Sequence, residues 1–183
     1  MKDINLTPIL LKISQPKENK VGRYSVSKIW GMITINKKTG KPYLAPEQYL
    51  KGEEVDFESA FRMWQGTWKG RQIEQLLKEL GYETEVKIEY QPDGKDWWLV
   101  GVCDGKNQEE IAEIKTSAEV MPKAKPWAEF QTRLYLHLFN LPKGTIYQPV
   151  KREKALVLKA IGEVELNLKW WDKIIEAIDN FDK

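Results

Sequence analysis

The chain has 183 residues, 42% of them apolar and 31% charged, with a formal net charge of +2. That length suits one domain with a sizeable core, and the near-neutral charge means that any nucleic-acid surface must come from local clusters of basic residues. Its single cysteine, Cys103, excludes an internal disulfide and any cysteine-rich zinc or iron–sulfur centre. With no apolar run long enough to span a membrane and no secretion signal in its first residues, a reducing cytoplasm is the expected location.

Residues 1–56 read as an N-terminal extension with few strong signals. Ser25-Val26-Ser27 is a cap for a short helix running into Ile29 and Trp30, and Lys37 to Pro46 reads as loop, with its turn at Thr39-Gly40-Lys41-Pro42. From Phe57 to Leu80 the residues Phe57, Phe61, Trp64, Trp68, Ile73, Leu76, Leu77 and Leu80 follow helical spacing. Gly66 and Gly70 interrupt that pattern, giving either one notched helix or two meeting helices, and Gly81 is the stop. Val86, Ile88 and Tyr90 alternate with Glu85, Lys87 and Glu89, as in a half-buried strand. Asp93-Gly94 suits a hairpin turn.

Trp97 to Cys103 is apolar on both faces, which marks a central strand. A third strand runs from Glu110 to Thr116, with Glu113 and Lys115 on one face and Ala112 and Ile114 on the other. A loop at Met121 to Pro126 leads into a helix from Trp127 to Asn140. Strands at Gly144–Val150 and Ala155–Ile161 follow, and a last helix carries Trp170, Trp171, Ile174, Ile175, Ile178 and Phe181. The reading is a single 183-residue domain, with a core at 57–150 and a strand and helix at 151–183. No repeat or linker divides it.

Chemistry concentrates at Asp104, Glu113 and Lys115. Two carboxylates from neighbouring strands can hold a hard divalent cation through oxygen. A lysine two positions past the second carboxylate shares its face, where it can neutralise charge on a phosphate under attack. Taken alone, Asp104-Gly105 is also the sequence of a turn, and Glu113-x-Lys115 that of a solvated strand face. Two outlying segments bear on the choice: GTWKGRQIEQLL around Glu74, and EFQTRLYLHLF with Gln131 and Tyr135 one turn apart. By themselves, Glu74 could pair with Lys78 at i,i+4, and Tyr135 could be a core aromatic with Gln131 at the rim.

Together these segments resemble the PD-(D/E)xK nuclease superfamily, and within it the RecB-like exonuclease branch. Gly66, Thr67, Ile73, Glu74 and Leu77 match the branch's helix motif. Gly101, Asp104, Glu113, Lys115 and Thr116 match its Gly-x-x-Asp and (Asp/Glu)-x-Lys-Thr, and Gln131 and Tyr135 match its Gln-x-x-x-Tyr. The motifs fall in family order between Gly66 and Tyr135. There are two departures: Cys103 precedes the first acid where proline is usual, and Gly70 stands where many members have a metal-binding histidine.

The resemblance implies an α/β fold with a restriction-endonuclease-like core (αβββαβ), a mixed central sheet flanked by helices. It implies a deoxyribonuclease dependent on Mg²⁺ or Mn²⁺, with Glu74, Asp104, Glu113 and the Ile114 carbonyl as metal ligands and Lys115 orienting the water. Gln131 and Tyr135 would hold the nucleotide beside the cleaved phosphate. The expected substrate is DNA, at ends or in single strands, with partners among recombination, repair or defence proteins. Two other readings stand beside the exonuclease: a nucleic-acid-binding subunit with muted catalysis, and a structure-selective endonuclease. Of the remaining candidates, His137 reads as a packed or solvated helix residue. Trp64, Trp68, Trp127, Trp170 and Trp171 read as helix packing, and one of Trp97 and Trp98 as exposed. The basic groups Arg62, Lys69, Arg71 and Lys78, and Lys143, Lys151, Arg152, Lys154 and Lys159, read as guides for a phosphate backbone.

Overall fold

The computed structural model describes residues 5–15, 22–44, 49, 54–117 and 119–181. The end of the expected 37–46 loop and the side chain of Phe181 lie outside the described part. Among the described residues the helices are α1 (Thr7–Ser14), α2 (Ile29–Ile33), α3 (Phe57–Glu79), α4 (Pro126–Phe139) and α5 (Leu168–Phe181). The strands are β1 (Arg23–Ser25), β2 (Glu83–Tyr90), β3 (Trp98–Lys106), β4 (Glu110–Ile114), β5 (Lys143–Arg152) and β6 (Ala155–Glu165). No helix among the described residues is long and apolar enough to cross a membrane.

Local chemistry explains most boundaries. Asp56 caps α3, its Oδ1 accepting from the Ser59 amide at 2.7 Å. Pro126 opens α4, where no amide hydrogen is needed. Asn140 closes it in the left-handed conformation, at φ 53°. Ser25 belongs to β1, and α2 starts from Lys28 without a side-chain cap, so the expected serine cap is not used. The seven residues between β2 and β3 form a longer connection than a two-residue hairpin, with the turn at Gly94, φ 70°. Within that connection Trp97 is buried and its Nε1 donates to Asp179 Oδ1 at 2.8 Å, tying α5 to the start of β3; Trp98 is half-buried.

α3 is one unbroken helix of 23 residues through both glycines. An interior glycine costs about 0.5–1 kcal/mol relative to alanine, too little to break a helix whose other residues favour it. The expected apolar stripe, however, is only partly inward. Ala60, Ile73 and Leu77 are buried, whereas Trp64 and Trp68 are 51% and 58% exposed. Phe57, Phe61, Leu76 and Leu80 are exposed as well, and Trp127 on α4 is 43% exposed. The expectation of packed tryptophans therefore holds for Trp170 and Trp171, which lie against the main core, and fails for the other three. An aromatic repeat specifies a helix face, but not whether anything covers it.

The sheet is mixed, in the order β1-β3-β4-β5-β6 with β2 also on β3. β1–β3 and β4–β5 are parallel; the other pairs are antiparallel. Helix α3, three strands, α4 and β5 reproduce the expected αβββαβ order. Strand β4 divides two apolar clusters by the period-2 alternation of its side chains. Ile111 points into the larger one, with Leu99, Leu134, Leu136, Ile146 and Ile178. Ala112 and Ile114 point into the smaller one, against Ile73 and Leu77 of α3.

A fork in the sheet positions the site. β2 pairs with β3 along one edge, from Leu99 to Lys106. The other edge is shared: β1 takes Trp98 to Val100, and β4 takes only Gly105 and Lys106. Between them, residues 101–104 face no strand on that side. Backbone groups there must find other partners, and side chains supply them. The Tyr135 hydroxyl donates to the Val102 carbonyl at 2.7 Å, and Asp104 Oδ2 accepts the Ile114 amide at 2.7 Å.

Candidate active site

Asp104 sits at the mouth of this fork because the strand that would continue the ladder has diverged. Its carboxylate accepts the amide that β4 can no longer give to a strand. Burial raises its pKa above the ordinary aspartate value, opposed by that amide and by the charge of Lys115. Glu113 lies on the Ile111 face of β4 and is only 1% exposed. Burial first, and the Asp104 charge second, push its carboxyl up to about 8, against the pull of Lys115.

Lys115 follows the last β4 residue, and its amide still donates to Tyr147 O of β5 at 2.9 Å. This holds its side chain on the Glu113 face, as the strand period requires. Nζ donates to Glu113 Oε1 at 2.5 Å and to Gln131 Oε1 at 3.0 Å, and lies 4.6 Å from the Trp127 ring centroid. The ammonium is thus fixed on three sides, by a carboxylate, an amide oxygen and an aromatic face. Glu113 Oε2, in contrast, is buried with no hydrogen-bond partner in the structure. An orphaned carboxylate oxygen beside a second carboxylate is a site that favours added positive charge.

Glu74 lies on the other side of the β4 end. With Gly70, Arg71, Glu85, Asp104 and Ile114 it lines a cleft of about 270 Å³. Its pKa is raised by burial, then by the charges of Glu85 and Asp104, with Arg71 and Lys78 opposing. A Cβ built on Gly70 would meet only Glu74 Oε1, at 3.9 Å, so the helix face before Glu74 is open. At Gly66 a Cβ would touch Thr116 Oγ1 at 3.4 Å, where α3 closes on the chain leaving β4.

Of the expected site residues, the structure joins Glu113, Lys115 and Gln131 into one hydrogen-bonded group. Asp104, Glu74 and Ile114 meet in the adjoining cleft, and Asp104 links the two groups through the Ile114 amide. Two geometric details bear on the expected roles. Among the described residues no three His, Cys, Asp or Glu side chains converge on a single point, so Glu74 lines the cleft with Asp104 without closing one cluster with Glu113. Tyr135 is buried and spends its hydroxyl proton on Val102, two residues before Asp104, so it holds α4 to the fork rather than offering that proton to a nucleotide.

Three contributors were not foreseen. Trp127 backs the lysine. Glu85, read as a solvated strand position, enters the cleft opposite Asp104, since its neighbours pair as Thr84↔Gly105 and Val86↔Cys103. Its φ of 52° is the left-handed conformation that a glutamate adopts only under constraint. On the far side of Gln131 and Tyr135, Arg23, Ser25, Ser27 and Lys87 line a groove of about 460 Å³, which brings the N-terminal segment to the site. Trp127 is signalled by its place one turn before Gln131 on α4; for Glu85 and the groove residues local spacing signals nothing, and strand pairing at the fork brings them there. His137 stacks on Trp171 at 4.9 Å between centroids and on Trp170 at 5.7 Å, away from this centre, as a packed helix residue.

No family model and no curated protein matches the chain. Several solved structures do. SSO0001 is 20% identical, with a TM-score of 0.63 over 97% of this chain and 85% of that one. The alkaline exonuclease LHK-Exo from Laribacter hongkongensis is 15% identical, with a TM-score of 0.60 over 96% of this chain and 90% of that one. Its complex with dAMP gives 16% identity and 0.61, covering 88% and 86%. A phage-related exonuclease from Haemophilus somnus 129PT gives 14% and 0.53, covering 87% and 92%. At these identities the likeness is one of fold: this chain has the restriction-endonuclease-like fold of those exonucleases.

Proposed function

We propose that the chain is a nuclease that hydrolyses phosphodiester bonds in DNA with Mg²⁺ or Mn²⁺, acting as an exonuclease at ends or on single strands. The observation that carries this reading is the buried Glu113–Lys115–Gln131 group beside Asp104, with one Glu113 oxygen left without a partner. Burying a charged pair is costly and stabilises little, so such an arrangement is more readily explained by chemistry than by folding. The fold shared with solved exonucleases and the order of the RecB-like motifs point the same way.

The residues present fit such an ion. Asp104 and Glu113 offer two hard oxygen donors whose pKa values burial raises, so a cation that offsets their desolvated charge is favoured there, and Glu74 and Glu85 add negative charge in the cleft. Mg²⁺ commonly sits on one or two carboxylates and fills its other positions with water and phosphate oxygens, so a third protein carboxylate is not required. Held by Asp104 and Glu113, such an ion would supply Lewis-acid activation of the phosphate and of the attacking water. Lys115, whose ammonium is held at the Glu113 carboxylate, would neutralise charge that grows on the attacked phosphate in the transition state. Gln131 and Trp127 fix that ammonium, so little reorganisation is needed as the charge develops. Tyr135 and Gly101 set the position of β3 and therefore of Asp104.

Gly70, standing where many members of the branch this chain resembles have a metal-binding histidine, favours a second reading, a binding subunit with weak catalysis. End-labelled linear and circular DNA, single- and double-stranded, separates the possibilities when incubated with Mn²⁺, Mg²⁺ or EDTA. Metal-dependent release of nucleotides from linear DNA supports the exonuclease; cut circles turn the assignment to an endonuclease. Binding without cleavage in Mn²⁺ leaves the binding subunit.

A further inference from the structure

The exposed aromatic face of α3 is not used by the site described above. Phe57, Phe61, Trp64 and Trp68 recur at i, i+4, i+7 and i+11, which places them in one stripe along the helix. Phe57 and Phe61 stack at 5.9 Å between centroids, and Phe61 and Trp64 at 5.8 Å, with interplanar angles of 20° and 23°. The first three rings therefore form a stack, with Trp68 one helical turn further along the same stripe. Exposure rises along it, from 37% at Phe61 to 51% at Trp64 and 58% at Trp68. A run of large exposed aromatics is unusual for a surface without a partner.

Charge decides what partner the ladder fits. Between Glu58 and Glu74 the helix carries Arg62, Lys69 and Arg71 and no acidic residue. Arg71 is three residues beyond Trp68 and also lines the cleft with Glu74 and Asp104. Arg62 and Lys69 line a second depression with Gly66, Thr116 and Ser117, along the opposite flank. The aromatic stripe is thus bordered by cations on both sides and runs into the cleft at Arg71. A face made for a protein core would not need those cations; flat rings between guanidinium and ammonium groups match bases between phosphates.

We propose that this ladder is a stacking platform for a single-stranded segment of nucleic acid that enters or leaves the cleft. Trp64 and Trp68 stack on bases, and Arg71 passes the backbone to the site. The proposal rests on the nucleic-acid reading of the cleft and extends it, naming single-stranded substrate and the surface that selects it. From Phe57 to Trp68 the helix rises about 16 Å, enough for a few nucleotides.

The test measures binding in EDTA, where cleavage plays no part. A labelled twelve-nucleotide dT oligomer and an abasic oligomer of equal charge are titrated against the wild type, W64A/W68A and W64F/W68F. Both positions are more than half exposed, so circular dichroism and melting should match the wild type. The alanine pair should bind dT at least about tenfold more weakly, since each stacked base contributes roughly five- to 150-fold. The phenylalanine pair should recover most of that affinity, and the abasic oligomer should bind all three proteins alike. Equal dT affinity of wild type and alanine pair overturns the proposal, as does a wild type that does not bind dT. A wild type that self-associates through this face, while dT affinity is unchanged in the alanine pair, assigns it to a second copy of the chain instead. Cleavage by the wild type in Mn²⁺ is read separately: ladder-dependent binding without cleavage would sink the nuclease reading and leave the platform standing.

Discussion

Lys115 Nζ lies 2.5 Å from Glu113 Oε1, while the other oxygen of the same carboxylate meets no donor. The lysine is held on one side of a buried carboxylate whose other oxygen is left uncompensated. Replacing Lys115 by methionine keeps the stem and removes the charge. Turnover should fall by about 100-fold or more, the scale on which a preorganised cationic or donor group acts in a transition state. DNA binding in Ca²⁺ or EDTA should change by less than threefold. Single-turnover cleavage and fluorescence anisotropy of the same oligomer measure the two effects.

The same pair is coupled in stability. Removing Lys115 leaves a buried carboxylate unpaired, a loss of about 3–5 kcal/mol when the charge persists, and smaller when Glu113 takes up a proton. Combining K115M with E113Q removes both charges, so the double variant should be more stable than the sum of the two losses implies. Urea unfolding of the four proteins in EDTA gives the coupling. Additive losses would mean that the pair does not interact.

Acid should stabilise the metal-free protein over one pH window. Glu113 has an ordinary glutamate pKa of 4.5 when unfolded and is pushed up to about 8 in the fold. Between those values the folded state keeps a proton that the unfolded state has lost. Stability attributable to this group therefore grows as pH falls from about 8 and is complete below about 4.5, with a slope of at most about 1.4 kcal/mol per pH unit. Urea midpoints from pH 8 to pH 5 in EDTA should rise for the wild type relative to E113Q. A constant difference between the two would contradict the burial of this carboxylate.

Gly101 and Tyr135 form a contact that leaves no room for a side chain. A Cβ at Gly101 would lie 2.9 Å from Tyr135 Oη, 3.0 Å from its Cε1 and 3.1 Å from Val26 Cβ. G101A should therefore lose about 1–3 kcal/mol through overpacking and reduce cleavage by shifting Asp104. Y135F loses the bond to Val102, about 1 kcal/mol, and should keep most activity, because the Tyr135 hydroxyl donates to that backbone carbonyl. Thermal melts with cleavage rates distinguish this from a direct role, which would show as a large loss of rate in a stable Y135F.

Gly70 offers the opposite case. Its Cβ direction is open apart from Glu74 Oε1, so G70A should stabilise α3 by about 0.5–1 kcal/mol. G70H puts an imidazole beside Glu74 and should lower the Mn²⁺ concentration needed for half-maximal cleavage. An unchanged Mn²⁺ requirement would show that position 70 lies outside the site.

Much of this was legible in the residues, for identifiable reasons. Glu113 and Lys115 share a face because the period of a strand is two, and that needed no structure. The order of helix, three strands and helix followed from periodicity and from the breakers at Gly81, Asp93-Gly94 and Pro126. What could not be read were relationships set by the fork in the sheet. Glu85 sits in an alternating charged strand like any solvated glutamate, and only its register opposite Asp104 and its left-handed backbone bring it into the cleft. Arg23 and Ser25 reach the groove by pairing of β1 beside Leu99, a contact across most of a hundred residues. Trp64 and Trp127 look alike in sequence to Trp170, because helical spacing does not encode what packs against a face.

On the function proposed above, Asp104, Glu113 and Lys115 form a metal-dependent hydrolytic centre. Release of labelled nucleotides from linear single-stranded DNA in Mn²⁺, by the wild type and by D104N, tests it most directly. The wild type should cleave, EDTA should stop it, and D104N should be inactive while melting at or above the wild-type temperature. Absence of cleavage by the wild type on every DNA substrate in Mn²⁺, or equal cleavage by D104N, would contradict it.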